Sequence, residues 1–484
     1  MTQFSRRGVI ASAAGLAFTG LARASHAANT TPAQVQADRY TNEVAGYGPL
    51  RTDPFGLFDL PGGFSYTVIG RAGEPMSDGL VTPYKADGMG CFPLDRDRVI
   101  LVRNHELKLT DVDYGPFGVG HGLVERVDPT RIFDHGFDDG RALNGGTTTM
   151  VYNLRSRRME DIHLSLVGTS TNCAGGVTPW GSWLTCEEIV QPAGKRADNL
   201  PSTLKSHGWV FEVPSRAPGL VAPIPLTGLG RFKHEAACID PRTGILYETE
   251  DEQAGLFYRF LPNDRRNLAA GGRLQALGFK DSPAGGDSRN WTGADWALNG
   301  VRDVVWIDLD ATDNPDNDLA KRGQTKGAAF FARGEGVFFG AGELFFTCTS
   351  GGPGKLGQIM RYTPSRFEGQ SGERDEPGKL QLFVQPTDKS VMMMPDNIAI
   401  APWGHLIVCE DKAEAGAVNY LKGVTPQGRV YTIGRQALPG ASDVGANTEL
   451  AGICFSPEGT TMFVNAYWPG ATLAITGPWG RLAV

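Results

Sequence analysis

The sequence has few of the residue patterns that mark a zinc site or a disulfide framework. Its eight histidines do not group, and HELKL at 105–109 is not the HExxH pattern of zinc hydrolases. The seven cysteines include no CxxC pair. Zinc held by cysteine and histidine is therefore not supported.

Motifs for nucleophilic and nucleotide chemistry are also missing. There is no GxSxG elbow and no GxxxxGK[ST] loop. The run GGPGK at 351–355 lacks the following Ser or Thr, and we interpret it as a loop between strands. The net charge of −7 and the lack of long runs of like charge argue against a nucleic-acid partner, because phosphate backbones require a basic surface.

Long uncharged runs are confined to the N-terminus. Ser5-Arg6-Arg7 precedes an uncharged run at 8–22, and Ser25-His26-Ala27 follows as a cleavage site with small outer residues. The double arginine predicts twin-arginine export, although Val9-Ile10-Ala11 replaces the Phe, Leu and Lys of the strongest signals. General secretion and a retained anchor are the alternatives.

We therefore expect residues 1–27 to be a signal peptide and residues 28–484 to form one catalytic domain. The expected location is the periplasm or the exterior, with the twin-arginine machinery as an export partner. This route suits a protein whose metal cofactor is loaded in the cytoplasm. No other segment has the length and apolar character of a membrane span.

The composition favours strands over helices. Glycine (64 residues) and proline (31) are abundant, and long helical patterns are scarce, which is typical of an all-β fold. Seven cysteines leave at least one thiol unpaired in an exported chain. Six lie in apolar stretches as small hydrophobic residues do, whereas Cys173 lies in the polar, glycine-rich segment NCAGG.

One sequence unit recurs six times. It opens with a polar residue, continues as an apolar strand, breaks at a turn, and resumes as a second strand that often ends in acids. The opening residues are Asp87, Cys173, Glu235, Glu335, Asp396 and Glu449. The match is close between TPWGSWLTCEE, ending at Glu188, and APWGHLIVCED, ending at Asp411.

Six units predict a six-bladed β-propeller in which the first strand of each blade lines a central channel. Unrelated hairpins in a β-sandwich are the alternative. Irregular spacing indicates inserted loops, at 107–146 and 262–330, which we expect to cap the active-site face. Strand 64–70 is expected to pair with 471–476 and so protect the sheet edge of the last blade.

In a propeller the six opening residues converge on one mouth of the channel. Bare charges so close together would become protonated through repulsion and desolvation, whereas bound multivalent cations remove that cost. Carboxylates favour hard ions such as calcium, and one thiolate among them favours a transition metal. We therefore predict a mixed metal site that contains Cys173.

Further polar residues stand close to this site in the sequence. Arg333 lies two residues before Glu335, and residues two apart in a strand share a face, so we expect it to bind an anion with its guanidinium fork. A solvated surface arginine is the alternative. Asn104 is a candidate donor to an oxyanion or a plain turn residue. His105 and His234 either orient a ligand or are satisfied hydrogen-bonding groups.

Five segments carry a resemblance to a known family. They are NCAGGVTPWGSWLTCEE (172–188), LVRNHE (101–106), KHEAACID (233–240), ARGEG (332–336) and MPDNIAIAPWGHLIVCEDK (394–412). Together they resemble the PhoX family of bacterial alkaline phosphatases. The resemblance implies a six-bladed propeller, exported by the twin-arginine route. Its centre would hold a pair of iron ions, bridged by a cysteine thiolate and an oxo group, with calcium alongside.

The resemblance also implies ligands. Cys173 would bridge the irons and so also act in catalysis. The remaining implied ligands are Glu235, Glu335 and Asp396 for iron or calcium and Glu188 and Glu449 for calcium. Asp87 is expected to be a further ligand because it belongs to the ring of opening residues. We expect about two iron ions and about two or three calcium ions.

The expected function is metal-dependent hydrolysis of small phosphomonoesters, with release of phosphate, by a monomer. Arg333 and Asn104 would bind the phosphoryl oxygens, and no side-chain nucleophile is required. One alternative is a calcium-dependent propeller hydrolase, such as a lactonase or a phytase-like enzyme, which would lack iron. Another is a non-catalytic propeller binding module, in which the acids of the ring would be replaceable.

Overall fold

The computed structural model describes residues 40–136, 141–194, 202–292, 295–412, 417–438 and 449–482. Strands dominate these residues, with one short α-helix, α1 (Leu319–Thr325). Short 3-10 helices lie at Val119–His121, Val124–Arg126, Pro129–Arg131, Thr227–Leu229, Leu268–Ala270, Ser371–Arg374 and Trp479–Leu482. No helix in the described ranges is both long and apolar enough to cross a membrane. The predicted signal peptide lies outside them.

The strands follow one another in groups along the chain. First come β1 (Leu50–Arg51), β2 (Phe58–Pro61) and β3 (Ser65–Ile69). The next groups are β4 (Ala86–Pro93), β5 (Arg98–His105), β6 (Gly145–Asn153) and β7 (Arg158–Thr169), then β8 (Asn172–Val177), β9 (Ser182–Glu187) and β10 (Val210–Pro214). They are followed by β11 (His234–Ile239), β12 (Leu246–Glu250), β13 (Phe257–Pro262), β14 (Gly272–Phe279) and β15 (Val301–Asp308).

The second half of the chain continues the plan. It contains β16 (Gly334–Gly340), β17 (Glu343–Cys348), β18 (Gln358–Thr363) and β19 (Lys379–Val384), then β20 (Pro395–Ile400), β21 (Leu406–Glu410), β22 (Tyr420–Val424) and β23 (Val430–Gln436). The last group is β24 (Leu450–Phe455), β25 (Thr461–Ala466) and β26 (Ala471–Thr476). Consecutive strands within a group pair antiparallel, except β2 and β3, which pair with strands near the end of the chain.

Hydrogen bonds join the strands into five sheets, in an all-β, propeller-like fold. Four sheets have the strand orders β1-β2-β23-β22-β21-β20, β10-β9-β8, β4-β5-β6-β7 and β24-β25-β26-β3. The fifth has nine strands, β11-β12-β13-β14-β15-β19-β18-β17-β16. The expected six separate sheets are not seen, because β15 pairs with β14 on one side and with β19 on the other.

The predicted pairing of the N-terminal strand with the end of the chain is confirmed. β3 pairs antiparallel with β26, from Ile69 opposite Thr472 to Ser65 opposite Thr476. The last sheet thus gains its fourth strand from a segment about 400 residues earlier in the sequence. An edge that would otherwise offer unpaired N–H and C=O groups is covered.

The segment 262–330 differs from the prediction that it is a capping loop. It contributes β14, β15 and α1, and these two strands connect neighbouring groups into the nine-stranded sheet. A shorter part does reach the channel mouth, where the indole N–H of Trp291 donates to the carbonyl of Ser350 at 2.7 Å. The insertion therefore extends the sheet as well as forming loops, because it carries two strands that pair.

The first strands of six groups, β4, β8, β11, β16, β20 and β24, contact one another in a closed sequence around a channel. Glycines permit this close approach. A Cβ atom on Gly176 would lie 1.8 Å from the carbonyl oxygen of Ala237, and one on Gly88 would lie 2.6 Å from Cα of Ala174. Larger residues would force these strands apart and widen the channel.

Apolar side chains between neighbouring sheets form the core. Ile407, Leu421 and Ile433 pack against Met462 and Val464 of the last sheet, and all are fully buried. Each such side chain contributes about 1.5–3 kcal/mol through burial. Because this packing fixes the position of each sheet relative to its neighbour, it also holds the ends of the first strands in place.

Candidate metal centre

A β-bulge places five of the predicted ligands at one mouth of the channel. Near the start of the first strand in each of these groups, two residues oppose one residue of the second strand. The first of the two is Asp87, Cys173, Glu235, Glu335 or Asp396 in successive groups. A bulge interrupts the alternation of a strand and redirects a side chain, a feature common beside active sites.

The last group departs from this pattern, so the prediction that Glu449 is equivalent to the other opening residues is wrong. Its bulge lies at Gly452 and Ile453, so glycine occupies the position that holds a ligand elsewhere. Glu449 lies one residue before β24 and is not equivalent to the other opening residues. Its carboxylate nevertheless reaches the same mouth, as the donor groups below show.

The second strand of a group ends at this mouth too, because it runs antiparallel to the first. The residue that follows its last pair is Glu188 after β9, Asp251 after β12 and Asp411 after β21. Glu106 has the same position after β5. Acids from two layers therefore converge at one end of the channel.

Three overlapping sets of donor atoms result. Within each set the ligand atoms lie within 4.8 Å of one another. The sets are Cys173, Glu188 and Glu235; then Glu235, Glu335 and Asp396; then Asp396, Asp411 and Glu449. We call them the thiol group, the central group and the outer group. Glu235 and Asp396 each belong to two of them, so the three form one continuous centre.

Asp87 lies beside the thiol group, in contact with Cys173, and belongs to none of the three donor groups. All seven cysteines are free thiols, and Cys173 is buried with its Sγ 3.6 Å from Oδ2 of Asp87. Burial and then the carboxylates of Asp87, Glu235 and Glu188 raise the pKa of the Cys173 thiol well above its usual range. A cation at this position would reverse that effect, since thiols bind metals as thiolates.

Carboxylates of the three donor groups have the two properties expected of a cation site, which are raised pKa values and buried oxygens without hydrogen-bond donors in the described part of the chain. Burial and then neighbouring acids raise the pKa values of Glu188, Glu235, Glu335 and Glu449 well above the usual range, and that of Asp396 to about 7. No N–H or O–H of the described residues donates to either buried oxygen of Glu235. Buried oxygens without donors and clustered like charges are what bound cations compensate.

Arg333 contacts this centre, but by a different route from the one predicted. It precedes β16 and has a φ of 56°, so strand alternation does not orient it. Its Nε and Nη2 donate to the two oxygens of Asp251 at 2.7 and 2.9 Å, and Nη2 lies 2.9 Å from Oε1 of Glu335. The fork thus holds a protein carboxylate, whereas Nη1 donates to no described residue.

Asn104 has partners other than the predicted phosphoryl oxygens. Its Nδ2 donates to the carbonyls of Cys173 and Ala174 at 2.9 and 2.7 Å, and its Oδ1 accepts from the indole of Trp183 at 2.8 Å. The side chain is fully buried. Because both amide hydrogens are used, Asn104 holds the backbone of the bulge that carries Cys173.

The sequence matches the family described as alkaline phosphatase PhoX over residues 45–470. The chain belongs to the PhoX family. This membership confirms the resemblance and makes the chain a phosphomonoester hydrolase of the alkaline phosphatase type. No curated protein matches the chain.

Comparison with solved structures finds one that shares the fold and others with weaker similarity. Pseudomonas fluorescens PhoX, in complex with vanadate as a transition-state analogue, is 18% identical with a TM-score of 0.64, over 91% of this chain and 98% of that one. A gluconolactonase from Xanthomonas campestris is 14% identical with a TM-score of 0.32, over 85% and 100%. The periplasmic gluconolactonase of Pseudomonas aeruginosa is 13% identical with a TM-score of 0.36, over 83% and 89%.

In this PhoX-family chain the two acids of each pair have different roles: the first accepts hydrogen bonds from loops and the second belongs to the metal centre. Glu187 is fully buried, and its carboxylate accepts from the backbone N–H groups of Ser170 and Gly208 at 2.9 and 2.8 Å. Glu410 accepts in the same way from Met393 at 2.9 Å. The next acid along, Glu188 or Asp411, is the one in a donor group. The first acid of each pair therefore anchors loops at the mouth.

His207 completes the anchor beneath Glu188. Its Nδ1 lies 2.7 Å from Glu187 and its Nε2 lies 3.3 Å from Asp134, all three being buried. Burial alone would lower the pKa of His207, but the charges of Glu187 and Asp134 raise it to about 9. A histidine whose pKa rises on folding stabilises the fold fully at pH values below its unfolded pKa of about 6.5. This contribution is lost as the pH rises through about 9.

Replacing His207 with Ala is expected to destabilise the protein by about 3 kcal/mol near pH 7, because two buried carboxylates lose their counter-charge. The cost should shrink toward about pH 10, where the histidine is neutral. Urea unfolding at both pH values measures this. His163→Ala is the control, since its ion pair with Asp161 is more exposed and contributes less than about 1 kcal/mol. A pH-independent loss at His207 would contradict the ion-pair interpretation.

Sequence reasoning did not name three acids of the centre as site residues. They are Asp411, which is in the outer group, Asp251, which holds Arg333, and Glu106, whose charge raises the pKa of Asp87. These acids could have been predicted from antiparallel pairing, because it brings the end of the second strand of each group beside the start of the first. His105 and His234 prove to be satisfied by Tyr84, Thr148, Gly230 and Glu248.

Proposed function

We propose that the three donor groups bind iron and calcium and that phosphomonoesters are hydrolysed above them. The overlap of the thiol, central and outer groups carries the proposal. One buried thiol among acids favours a transition metal, and the all-oxygen outer group favours calcium. Cys173, Glu235 and Glu335 would hold about two irons, and Glu188, Asp396, Asp411 and Glu449 would hold about two or three calcium ions.

The chemistry that such ions supply is neutralisation of phosphate charge and Lewis acidity toward phosphoryl and water oxygens. The chain's own groups would then orient the substrate. Arg333 Nη1 is the donor left for a phosphoryl oxygen, and Asp251 and Glu335 fix the plane of its guanidinium. Asp87 and Asn104 would position Cys173, the first through its carboxylate and the second through the bulge backbone.

We also propose that the fold is a six-bladed propeller. The closed sequence of β4, β8, β11, β16, β20 and β24 supports this count. The nine-stranded sheet would then be two blades joined along β15. The segments that include Trp291 and Tyr114 would cover part of the active-site face.

Export by the twin-arginine route, a periplasmic or secreted location and a monomeric state complete the proposal. The double arginine at positions 6 and 7 supports the route. A centre with a redox-active metal is best loaded before export, which the same route permits. The substrates are small phosphomonoesters, with phosphate as a product.

Cys173→Ala is expected to lose most bound iron and at least about 100-fold in activity, because no other sulfur is in a donor group. Hydrolysis of p-nitrophenyl phosphate at alkaline pH, with and without calcium, and elemental analysis measure both. Cys186→Ala is the control, a buried thiol outside the donor groups.

Retention of iron and full activity by the Cys173 variant would refute the thiolate role. Calcium without iron in the unmodified protein would instead favour a calcium-dependent hydrolase. A metal-loaded protein that hydrolyses no phosphomonoester would favour a binding module.

A further inference from the structure

Three half-buried aromatic rings lie together on loops at the mouth of the channel. Tyr84 precedes β4, Tyr114 follows β5, and Trp468 follows β25. The rings of Tyr84 and Trp468 stack with centroids 5.6 Å apart, and Tyr114 meets them edge-on at 5.3 and 6.2 Å. We call them the aromatic cluster. Unlike the aromatic residues of the core, each of these three residues keeps part of its surface in solvent.

Two contacts tie this cluster to the metal centre, and both converge on Glu106. The backbone N–H of Glu106 donates to the carbonyl of Lys85 at 3.0 Å, and the hydroxyl of Tyr467 donates to its carboxylate. Lys85 and Tyr467 are the chain neighbours of Tyr84 and Trp468. The carboxylate of Glu106 is also close enough to the donor groups to raise the pKa of Glu188. Tyr84 and Trp468 are therefore each one residue along the chain from a residue that contacts Glu106, and the three aromatic residues lie on three separate loops.

This position matches the place of a leaving group. In a phosphomonoester the leaving group is tied to phosphorus through one oxygen, so it must lie at the rim once the phosphoryl group is at the centre. Partly exposed aromatic side chains at that rim can stack with planar rings and tolerate different ring types. They bind an alkyl leaving group such as glycerol much more weakly, because glycerol has no π-face for stacking.

We propose that the aromatic cluster is a leaving-group subsite for phosphomonoesters that carry an aromatic ring, such as aryl phosphates and nucleoside monophosphates. This inference rests on the proposed function, since it assigns the substrate class of the same centre. The subsite selects among substrates and takes no part in the hydrolysis step.

The kinetic test compares phenyl phosphate with glycerol 3-phosphate on the metal-loaded enzyme. Trp468→Leu and Tyr114→Leu should each lower kcat/KM for phenyl phosphate about tenfold, through KM, and change glycerol phosphate less than about twofold. Trp468→Phe keeps a ring and should recover most of the preference. Two loops are sampled, so misfolding of one variant leaves the other informative.

Trp180→Leu is the matched control. Trp180 is equally half-buried, but it lies in the turn between β8 and β9, at the opposite end of the channel. Its loss should leave the preference unchanged. Equal losses on both substrates, or none, in the Trp468 and Tyr114 variants would overturn the subsite.

A binding measurement separates failure of the subsite from failure of the proposed function. By calorimetry, phenylphosphonate should bind the metal-loaded protein about tenfold more tightly than methylphosphonate, and Trp468→Leu should remove the difference. Equal affinities in the unmodified protein would overturn the subsite even if phosphomonoesters are hydrolysed. Absence of hydrolysis with this preference intact would refute the proposed function alone.

Discussion

Glu235→Gln is expected to abolish nearly all phosphatase activity and to lower retained metal more than Glu188→Gln does. Glu235 belongs to both the thiol group and the central group, whereas Glu188 belongs to one. Loss of a group that only supports a metal ligand costs about 10–100-fold in affinity, so loss of a ligand shared by two groups should exceed about 100-fold. Glutamine keeps the shape of the side chain and removes its charge.

Elemental analysis and kcat at saturating metal measure the two variants. Glu248→Gln is the matched control, because Glu248 is equally buried nearby on β12, is hydrogen-bonded to His234 and belongs to no donor group of the described residues. It should keep its metal and lose stability only. Wild-type metal content and activity in Glu235→Gln would show that the overlap of the groups has no functional meaning.

The sequence predicts most of this centre because unusual residues stand at equivalent points of a repeat. Cys173, Glu235, Glu335 and Asp396 are found in this way, since a polar residue before an apolar strand is visible without coordinates. The pairing of β3 with β26 is likewise predictable, because a sheet edge needs cover.

The remaining features depend on geometry that alternation does not encode. The bulge that turns Glu335 toward the channel inserts one residue, and the left-handed backbone of Arg333 changes the face on which its side chain lies. The sequence CEE does not say that Glu187 holds loops while Glu188 faces the centre, because the hydrogen-bond donors come from residues up to 22 positions away. The union of two sheets through β15 depends on a long-range pairing of the same kind.

Removing the metals is expected to reverse the direction of the pH dependence of stability. In the stripped protein five carboxyls of the donor groups have folded pKa values above their unfolded values of about 4, so protons stabilise the fold. That stability is complete at low pH and is lost as the pH rises through the raised values. For Asp396, whose pKa is about 7, the loss is on the order of 4 kcal/mol.

The metal-loaded protein should behave in the opposite way, because protons compete with cations for the same oxygens and thiol. Thermal unfolding of chelator-treated and metal-loaded protein between about pH 5 and 9 measures both profiles. His207 titrates in each form, so its contribution cancels in the difference between them. Since Glu235→Gln removes one of the clustered charges, it should raise the stability of the stripped protein at alkaline pH while lowering that of the loaded one. Parallel profiles for the two forms would mean that the acids at the channel mouth hold no cation.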